Sequence, residues 1–356
     1  MEKIFGKEIK RRDFFKAAGI GIGVLGAATM GFPNIVRSAE KWRFKFATFE
    51  PANSFLHNAF WHYWCDKVTE LSKGAVAFDK YPGQTLVKAQ ECYEAVRDGI
   101  TETGIISIPY EAGTISLPTI KELPFSFKNY GTHYLMWRKC MDAGLQDYYH
   151  SFGVHVVADQ TLPIYSFWTS KKWGPIRRLE DLKGCKIRSP GGYMSEACKA
   201  MGAVPVNIPS PEAYTAMERG TLDCLTMPEP SNFAFRLQEV TGYICRPYYA
   251  TTGVPIIVNL KVWNSLPKDI QYIMLQAGGY AEDNQVKEEL IFNEKVLEPT
   301  IKKAGIEVVP LPEKEKERMR KACAPVWDKW LAENGEKFGG LGNRMFDIVV
   351  QHVGRP

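Results

Sequence analysis

The chain lacks most of the short motifs that mark common enzyme classes. It contains no G-x-S-x-G nucleophile turn, no phosphate-binding loop and no H-E-x-x-H zinc motif. Its eight cysteines include no C-x-x-C pair, which excludes the usual zinc-ribbon, haem-attachment and thioredoxin signatures. Because these patterns are missing, the sequence predicts no enzyme, no cofactor and no metal site.

A strong charge of either sign is also missing from the body of the chain. The formal net charge is +5, but residues 1–39 contribute +4 of it, so the remainder is close to neutral. A near-neutral chain with mixed charges has no basic patch of the kind that binds nucleic acid. The sequence therefore predicts no nucleic-acid partner.

The N-terminus has the features of an export signal. Residues 10–16 (KRRDFFK) contain two adjacent arginines and precede an apolar run over residues 17–32, which is short and glycine-rich for a membrane span. Small residues at Ser38 and Ala39 offer a cleavage site. We predict that residues 1–39 are a twin-arginine-type signal peptide that sends the protein to the periplasm. A retained N-terminal anchor is the alternative.

Export to an oxidising compartment leaves two states open for the cysteines. Some could form disulfides, but several lie on apolar faces of predicted helices or strands, where a free thiol behaves as a small hydrophobic group. The pattern favours buried free thiols over disulfides.

After the signal, strand and helix patterns alternate along the chain, which predicts an α/β fold. Residues 44–49, 75–81, 104–108 and 154–159 have strand patterns, and residues 55–72, 88–98 and 132–149 have helical ones. Residues 267–304 have helical composition with no proline before Pro299, which predicts one unusually long helix, bent near Gly278 and Gly279. At 1.5 Å per residue this helix would extend roughly 55 Å.

The segment over residues 179–228 carries the strongest functional signal. A short strand over residues 185–188 ends at Arg188, and a glycine-rich turn and a helix over residues 193–201 follow. Ser210 is placed to cap the next helix. Ligands of open α/β sheets bind outside the carboxyl ends of strands, where a guanidinium can hold a carboxylate through two parallel hydrogen bonds. Arg188 is thus the candidate anion-binding residue, and a structural ion pair is the alternative.

This segment resembles the solute-binding proteins of tripartite ATP-independent periplasmic (TRAP) transporters, of the C4-dicarboxylate-binding-protein-like family. The family run L-x-D-L-K-G-x-K-I-R-x-P, which contains the carboxylate-binding arginine, is reproduced over residues 179–190. Further matching pieces lie at residues 202–205, 212–220 and 222–223, and in order across residues 44–335. The specificity of the resemblance comes from this order and spacing.

The resemblance implies a two-lobed, type II-like solute-binding fold with a hinge and a long helix that spans both lobes. It implies that lobe I comprises residues 41–164 plus 254–295, and that lobe II comprises residues 165–253 plus 296–335. Residues 336–356 extend past the likeness as a C-terminal extension without an assigned role.

The resemblance also implies which residues form the ligand pocket. Strand ends of both lobes would bring the following side chains to the cleft beside Arg188: Phe49, Ser107, Tyr110, Tyr165, Ser166, Phe167, Trp168, Met227 and Tyr249. Core packing is the alternative for the aromatic members of this set. Ser107, Ser166, Met227 and Phe49 stand where sialic-acid-binding members carry polar or charged residues, which argues against a polyhydroxylated sugar acid.

The predicted function is that of a periplasmic TRAP solute-binding subunit. It would capture a small organic acid through Arg188 and deliver it to the membrane permease subunits. One guanidinium among aromatic and thioether groups suits an aromatic or branched monocarboxylate, or a compact sulfonate. A dicarboxylate would favour a second cation, for which Arg246 and Lys171 are the candidates. A ligand-sensing module for a receptor and an exported enzyme are the alternative functions.

Overall fold

A computed structural model describes residues 42–356, so the predicted signal peptide lies outside the described residues. Two β-sheets, each flanked by helices, contain the strands of this part of the chain. In chain order these strands are β1 (Trp42–Ala47), β2 (Val76–Tyr81), β3 (Thr103–Ile105), β4 (Val154–Thr161), β5 (Tyr165–Thr169), β6 (Lys186–Ser189), β7 (Val204–Asn207), β8 (Cys224–Pro228), β9 (Tyr243–Cys245), β10 (Gly253–Asn259) and β11 (Glu307–Val309).

The helices lie on the faces of these sheets and in the C-terminal region. They are α1 (Tyr63–Leu71), α2 (Cys92–Arg97), α3 (Tyr130–Cys140), α4 (Gln146–Ser151), α5 (Gly192–Ala200), α6 (Ala213–Glu218), α7 (Glu229–Ala234), α8 (Leu260–Ser265), α9 (Lys268–Phe292), α10 (Glu298–Lys303), α11 (Glu313–Asn334) and α12 (Lys337–Val353). Side-chain caps fix some of the starts. Asn129 accepts a hydrogen bond from the Thr132 amide at the start of α3, and Asn259 caps α8 in the same way.

The first sheet has the strand order β2-β1-β3-β10-β4, and we call it and its helices lobe I. The second sheet has the order β11-β9-β5-β8-β6-β7 and forms lobe II. Strands β4, β5, β8 and β10 are buried along their whole length, as expected for strands covered on both faces. The chain passes from lobe I to lobe II between β4 and β5, and returns between β9 and β10.

The strand predicted over residues 104–108 is shorter in the structure. β3 ends at Ile105, and residues Ile108–Glu111 form a 3-10 turn instead. Pro109 lies inside this turn, near its start, where its missing amide hydrogen leaves no strand hydrogen bond unmade. This turn places Tyr110 beside lobe II, as described below.

The predicted long helix is present as a continuous helical segment over residues 268–303. It consists of α9, a π-helical turn at Asn293–Leu297, and α10. Ile270 and Met274 pack in the core of lobe I, whereas Leu297 and Ile301 pack in the core of lobe II. α9 keeps helical geometry through Gly278, where an added Cβ would lie 2.5 Å from the Val157 carbonyl oxygen. This glycine therefore allows close approach to β4.

The C-terminal helices connect the lobes a second time. On α11, Cys323 contacts the Ala197 carbonyl of α5, while the Trp327 indole donates a hydrogen bond to the Pro124 carbonyl in lobe I. α12 then packs against the lobe I core through buried side chains of Leu341, Met345, Phe346 and Val349. Residues 336–356, which the sequence left without a role, therefore complete a hydrophobic core.

Candidate functional site

Arg188 lies at the carboxyl end of β6, at the edge of lobe II that faces lobe I. β6 runs parallel to both of its neighbours, β7 and β8. Carboxyl ends of parallel strands meet at one edge of a sheet, so Met227 at the end of β8 reaches the same place as Arg188. The guanidinium is buried, with 1% of the residue exposed.

The protein itself holds the guanidinium in one orientation. Nε donates to the Ile208 carbonyl at 2.7 Å, and Nη1 donates to the Thr226 carbonyl at 3.1 Å. Nη2 donates to the Ser210 hydroxyl at 3.1 Å and to the Tyr110 hydroxyl at 3.2 Å. These bonds use four of the five donors of an arginine. A ligand carboxylate that forms two parallel bonds must therefore replace or share a hydroxyl on Nη2.

Tyr110 connects the two lobes at this point. Its hydroxyl accepts a hydrogen bond from the Ser210 amide at 2.9 Å and lies 3.2 Å from the Ser210 hydroxyl. The predicted capping role of Ser210 is wrong, because the helical turn at Ser210–Glu212 has Pro209 at its N-cap and no side-chain cap. The Ser210 hydroxyl contacts Arg188 and Tyr110 instead.

A small, partly open cavity adjoins Arg188 between the lobes. Its volume is about 10 Å³, which is room for about one water molecule. Six of the residues predicted from the sequence line it: Phe49, Ser107, Tyr110, Tyr165, Arg188 and Met227. Both lobes contribute to this wall, since Phe49, Ser107 and Tyr110 belong to lobe I and the other three to lobe II.

Four predicted residues lie away from the cavity. Ser166 and Trp168 sit on the opposite face of β5 from Tyr165, as the period-two alternation of a strand requires, and the Trp168 indole donates to the Ser166 hydroxyl at 2.8 Å. Phe167 stacks on Tyr249 in the core, with ring centroids 5.0 Å apart. The Tyr249 hydroxyl lies 2.6 Å from the Thr226 hydroxyl. All four side chains are buried and lie outside the cavity wall.

Several residues of the cavity wall were not selected from the sequence. They are Glu50, Trp61, Leu162, Pro190, Ser210, Pro228, Ser231 and Val254. Glu50 directly follows Phe49 at the end of the first predicted strand, which is a signal that could have found it. Trp61 and Val254 carry no such signal, because only the packing of lobe I brings them to the cavity.

Burial raises the proton affinity of two carboxyl groups where the lobes meet: Glu50, which lines the cavity, and Glu122, which does not. Burial raises the pKa of Glu50 to about 7, although a hydrogen bond from Ser54 and the charge of Arg188 act in the opposite direction. Burial likewise raises the pKa of Glu122 to about 8, against hydrogen bonds from the backbone amides of Tyr193 and Met194. Glu122 of lobe I thus contacts the N-terminus of α5 in lobe II.

The turn after Arg188 fits closely against lobe I. Gly191 has φ +118°, and an added Cβ would lie 2.8 Å from the Pro109 carbonyl oxygen. Gly192 has φ +53°, and its added Cβ would meet the Glu122 carboxyl. Glycine is required here both for the positive φ and for the close approach.

Neither candidate for a second cation lines this cavity. Arg246 forms a bidentate pair with Glu229, at 2.8 and 2.7 Å, and a further ion pair with Glu298. It lines a separate cavity of about 340 Å³ between the lobes, near the chain crossing at Pro163 and Ile164. Lys171 is exposed and belongs to the lining of neither cavity.

Residues 42–356 contain no cluster of histidine, cysteine and acidic side chains placed to hold a metal ion. Within the same range, no helix combines the length and the apolar character needed to cross a bilayer. All eight cysteines are buried free thiols in the structure.

Comparison with known proteins places the chain in a family. The pattern of the bacterial extracellular solute-binding proteins, family 7 (DctP), matches residues 46–334. A solute-binding protein of Albidiferax ferrireducens is 27% identical over 228 residues, which are 61% of this chain and 64% of the relative.

Solved structures share the fold. DctP7 of Bordetella pertussis, an extracytoplasmic solute receptor that binds pyroglutamic acid, has a TM-score of 0.78 at 21% identity, over 86% of this chain and 99% of its own. A TRAP periplasmic solute-binding protein of Desulfovibrio salexigens with bound orotic acid has a TM-score of 0.80 at 22% identity, over 88% of this chain and 100% of its own. The predicted two-lobed α/β fold is confirmed, and members of this family are binding receptors rather than enzymes. The chain belongs to the family 7 (DctP) extracellular solute-binding proteins of TRAP transporters.

Proposed function

We propose that this protein is a periplasmic receptor that captures a small organic acid in the cavity beside Arg188 and delivers it to a TRAP membrane permease. The observation that carries this proposal is the position of Arg188, which is 1% exposed and lines a cavity between the two lobes. A buried cation requires a compensating anion or a full set of acceptors. A ligand carboxylate supplies the anion.

The fixed orientation of the guanidinium supports recognition of a planar anion. Two carbonyl oxygens hold Nε and Nη1, so the arginine does not have to be ordered when a ligand arrives. The two hydroxyls on Nη2, from Tyr110 and Ser210, can rotate and donate to a carboxylate oxygen that takes their place. The site therefore offers donors from both lobes to one carboxylate.

The remaining wall favours a compact ligand with one charged end. Phe49, Trp61 and Met227 supply apolar surface, and Arg188 is the one cation among the described residues that line the cavity. The related structures from Bordetella pertussis and Desulfovibrio salexigens bind pyroglutamic acid and orotic acid. We therefore propose a small monocarboxylate with a cyclic, aromatic or branched body as the ligand class.

Capture would proceed by closure of the lobes around the acid. The cavity of about 10 Å³ is smaller than any such acid, so binding requires the lobes to separate and close again over the ligand. The interlobe contacts of the Tyr110 hydroxyl with the Ser210 amide and of the Glu122 carboxyl with the Tyr193 amide would re-form around the bound acid. The closed complex would then be the form that the permease recognises.

Thermal unfolding in the presence of candidate acids tests the proposed function. A panel of pyroglutamate, orotate, benzoate, 4-methyl-2-oxopentanoate, succinate, galacturonate and a small sulfonate covers the competing ligand classes. At 100 times its dissociation constant, the right ligand should stabilise the folded state by about 2.7 kcal/mol. We expect at least one monocarboxylate to raise the unfolding temperature, and succinate and galacturonate to have no effect.

Sodium chloride at matched ionic strength is the control for unspecific salt effects. Arg188→Lys, screened with the same panel, is the control for the site, because lysine keeps the charge but loses the planar fork. If no organic acid stabilises the parent protein beyond the salt control, the proposed function is wrong.

A further inference from the structure

Glu50 is a second ionisable group in the wall of the cavity that contains Arg188. It follows β1 at its carboxyl end, and its backbone amide donates to the Thr48 hydroxyl at 3.1 Å. The residue is 3% exposed, and it lines the cavity. Within the described part of the chain, its Oε2 atom has no hydrogen-bond partner. A buried, unpaired carboxyl oxygen is costly unless it is satisfied by a ligand or by a proton.

The groups that face Glu50 come from both lobes. Arg188 on β6 lowers the pKa of Glu50, and Ser54 on its own segment does so through a hydrogen bond. Tyr165 on β5 also faces it, and burial raises the pKa of this phenol, so it is neutral near pH 7. Tyr110 lies on the same wall, and Glu122 lies beyond Tyr165. Arg188 is therefore the one cation among the described groups that act on Glu50.

The protonation state of Glu50 in the ligand-bound form depends on the total charge of Glu50, the ligand carboxylate and Arg188. An ionised Glu50 and a ligand carboxylate would place two negative charges beside one guanidinium. The excess charge would be buried between the closed lobes, where water screens it poorly. A protonated Glu50 makes the sum neutral, and its new O–H group can donate a hydrogen bond.

We propose, on the basis of the proposed function, that Glu50 is protonated and neutral when the ligand is bound, and that it donates a hydrogen bond from Oε2 to a ligand oxygen. The protein therefore takes up one proton from the solvent for each acid anion that it binds. The proton comes from the solvent and ends on Oε2, and no covalent bond to the ligand forms or breaks. The site would thus select acids with an oxygen acceptor that faces Glu50, in the carboxylate or beside it.

A proton-coupled site of this kind predicts a definite pH dependence. Burial raises the pKa of Glu50 to about 7, so the carboxyl is largely protonated at pH 6 and largely ionised at pH 8.5. Apparent affinity scales with the competent fraction, so the dissociation constant should be about 30-fold higher at pH 8.5 than at pH 6. The ligand carboxylate itself stays ionised over this range, because ordinary carboxyl groups titrate near pH 4.

Titration calorimetry of the parent with the best acid from the thermal panel tests this proposal. Measurements near pH 8 in phosphate and in Tris, which have different ionisation enthalpies, count the protons taken up. Repeats from pH 6 to pH 8.5 give the affinity profile. We expect close to one proton per ligand near pH 8, and the weakening stated above.

Glu50→Gln keeps the shape and supplies a permanent N–H donor. It should bind within a few-fold of the parent at pH 6, with no proton uptake and a flat profile. Glu289→Gln is the matched control, because Glu289 is also buried, has an unpaired Oε2 atom and has a pKa raised to about 7, but it lines the other cavity. This variant should keep the proton uptake and the pH profile of the parent.

Two results would overturn the inference while leaving the proposed function intact. One is acid binding by the parent without proton uptake at any pH. The other is loss of binding in a folded Glu50→Gln variant, which would show that the ligand donates a hydrogen bond to an ionised Glu50. If the parent binds no organic acid at any pH, the proposed function itself fails.

Discussion

The hydroxyl of Tyr110 in lobe I lies 3.2 Å from Nη2 of Arg188 in lobe II. The same hydroxyl accepts from the Ser210 amide at 2.9 Å. One tyrosine side chain thus connects lobe I with the anion-binding edge of lobe II. The contact links lobe closure to the guanidinium that we propose as the ligand anchor.

Tyr110→Phe should weaken ligand binding for two reasons. It removes a hydrogen bond between the closed lobes, and it removes a hydroxyl that would donate a hydrogen bond to the ligand. A hydrogen bond that involves a charged group contributes about 1.5 to 3 kcal/mol, so we expect a loss of about 10- to 150-fold in affinity by calorimetry. Tyr214→Phe is the control, because its hydroxyl bonds to Glu239 within lobe II. Equal dissociation constants for Tyr110→Phe and the parent would show that the Tyr110 hydroxyl does not contribute to ligand binding.

Gly191→Ala should impair closure of the lobes. The added methyl would lie 2.8 Å from the Pro109 carbonyl oxygen, at a backbone φ of +118°. Gly184→Ala separates backbone strain from the steric clash with lobe I. Gly184 also has a positive φ, +76°, but nothing lies within 4 Å of its added Cβ. Both variants should lose about 1 kcal/mol of unfolding free energy or more from backbone strain.

Ligand affinity distinguishes these two glycine variants. We expect at least a tenfold loss for Gly191→Ala and parental affinity for Gly184→Ala, measured by calorimetry on both folded variants. If Gly191→Ala bound the ligand as tightly as the parent does, the close contact between Gly191 and Pro109 would not be needed in the ligand-bound form.

The cysteines should be unreactive in the folded protein. All eight are buried free thiols, and burial raises the pKa of Cys198 and of Cys224. Only the thiolate reacts with Ellman's reagent, so at pH 8 we expect no fast-reacting group in the native state. In denaturant without reductant all eight should react, and a lower count would reveal a disulfide in the exported protein.

The C-terminal helix should contribute to stability and leave ligand binding unchanged. Phe346 on α12 is 5% exposed and stacks on Trp330, with ring centroids 6.1 Å apart. Phe346→Ala should lower the unfolding free energy by about 3 to 5 kcal/mol, as large-to-small changes in cores do. The exposed Gln351, changed to alanine, is the control in the same denaturant titration.

Ligand affinity completes the C-terminal test. A folded Phe346→Ala variant should bind the acid as the parent does, because Phe346 lies outside the wall of the Arg188 cavity. Weaker binding in the folded variant would instead tie α12 to lobe closure.

Local sequence signals located the elements around Arg188 with an error of about one residue. The strand predicted over residues 185–188 is β6 at Lys186–Ser189, and the helix predicted over 193–201 is α5 at Gly192–Ala200. These elements were predictable because turn glycines and a helix-ending glycine mark their bounds. Gly202, with φ +90°, ends the helix as expected.

Features that depend on contacts distant in sequence were not predictable. Phe167 shares a face of β5 with Tyr165, yet only the packing of Tyr249 decides that Phe167 lies in the core. Ser210 has the residue type of a helix cap, but its hydroxyl forms hydrogen bonds with Arg188 and Tyr110 instead. The fold brings these two residues close to Ser210. Glu50 carried a weak signal, since its burial and missing partner become visible only in three dimensions.

The most direct measurement of the central claim is calorimetry of Arg188→Lys and Arg188→Ala with the acid that stabilises the parent. Both variants must first unfold cooperatively, since Arg188 also bonds to the Ile208 and Thr226 carbonyls. Loss of a buried charged contact to a ligand costs about 2 to 5 kcal/mol, so we expect affinity to fall by about 30-fold to several thousandfold. Parental affinity in either folded variant would contradict the assignment of Arg188 as the anchor for the ligand's carboxylate.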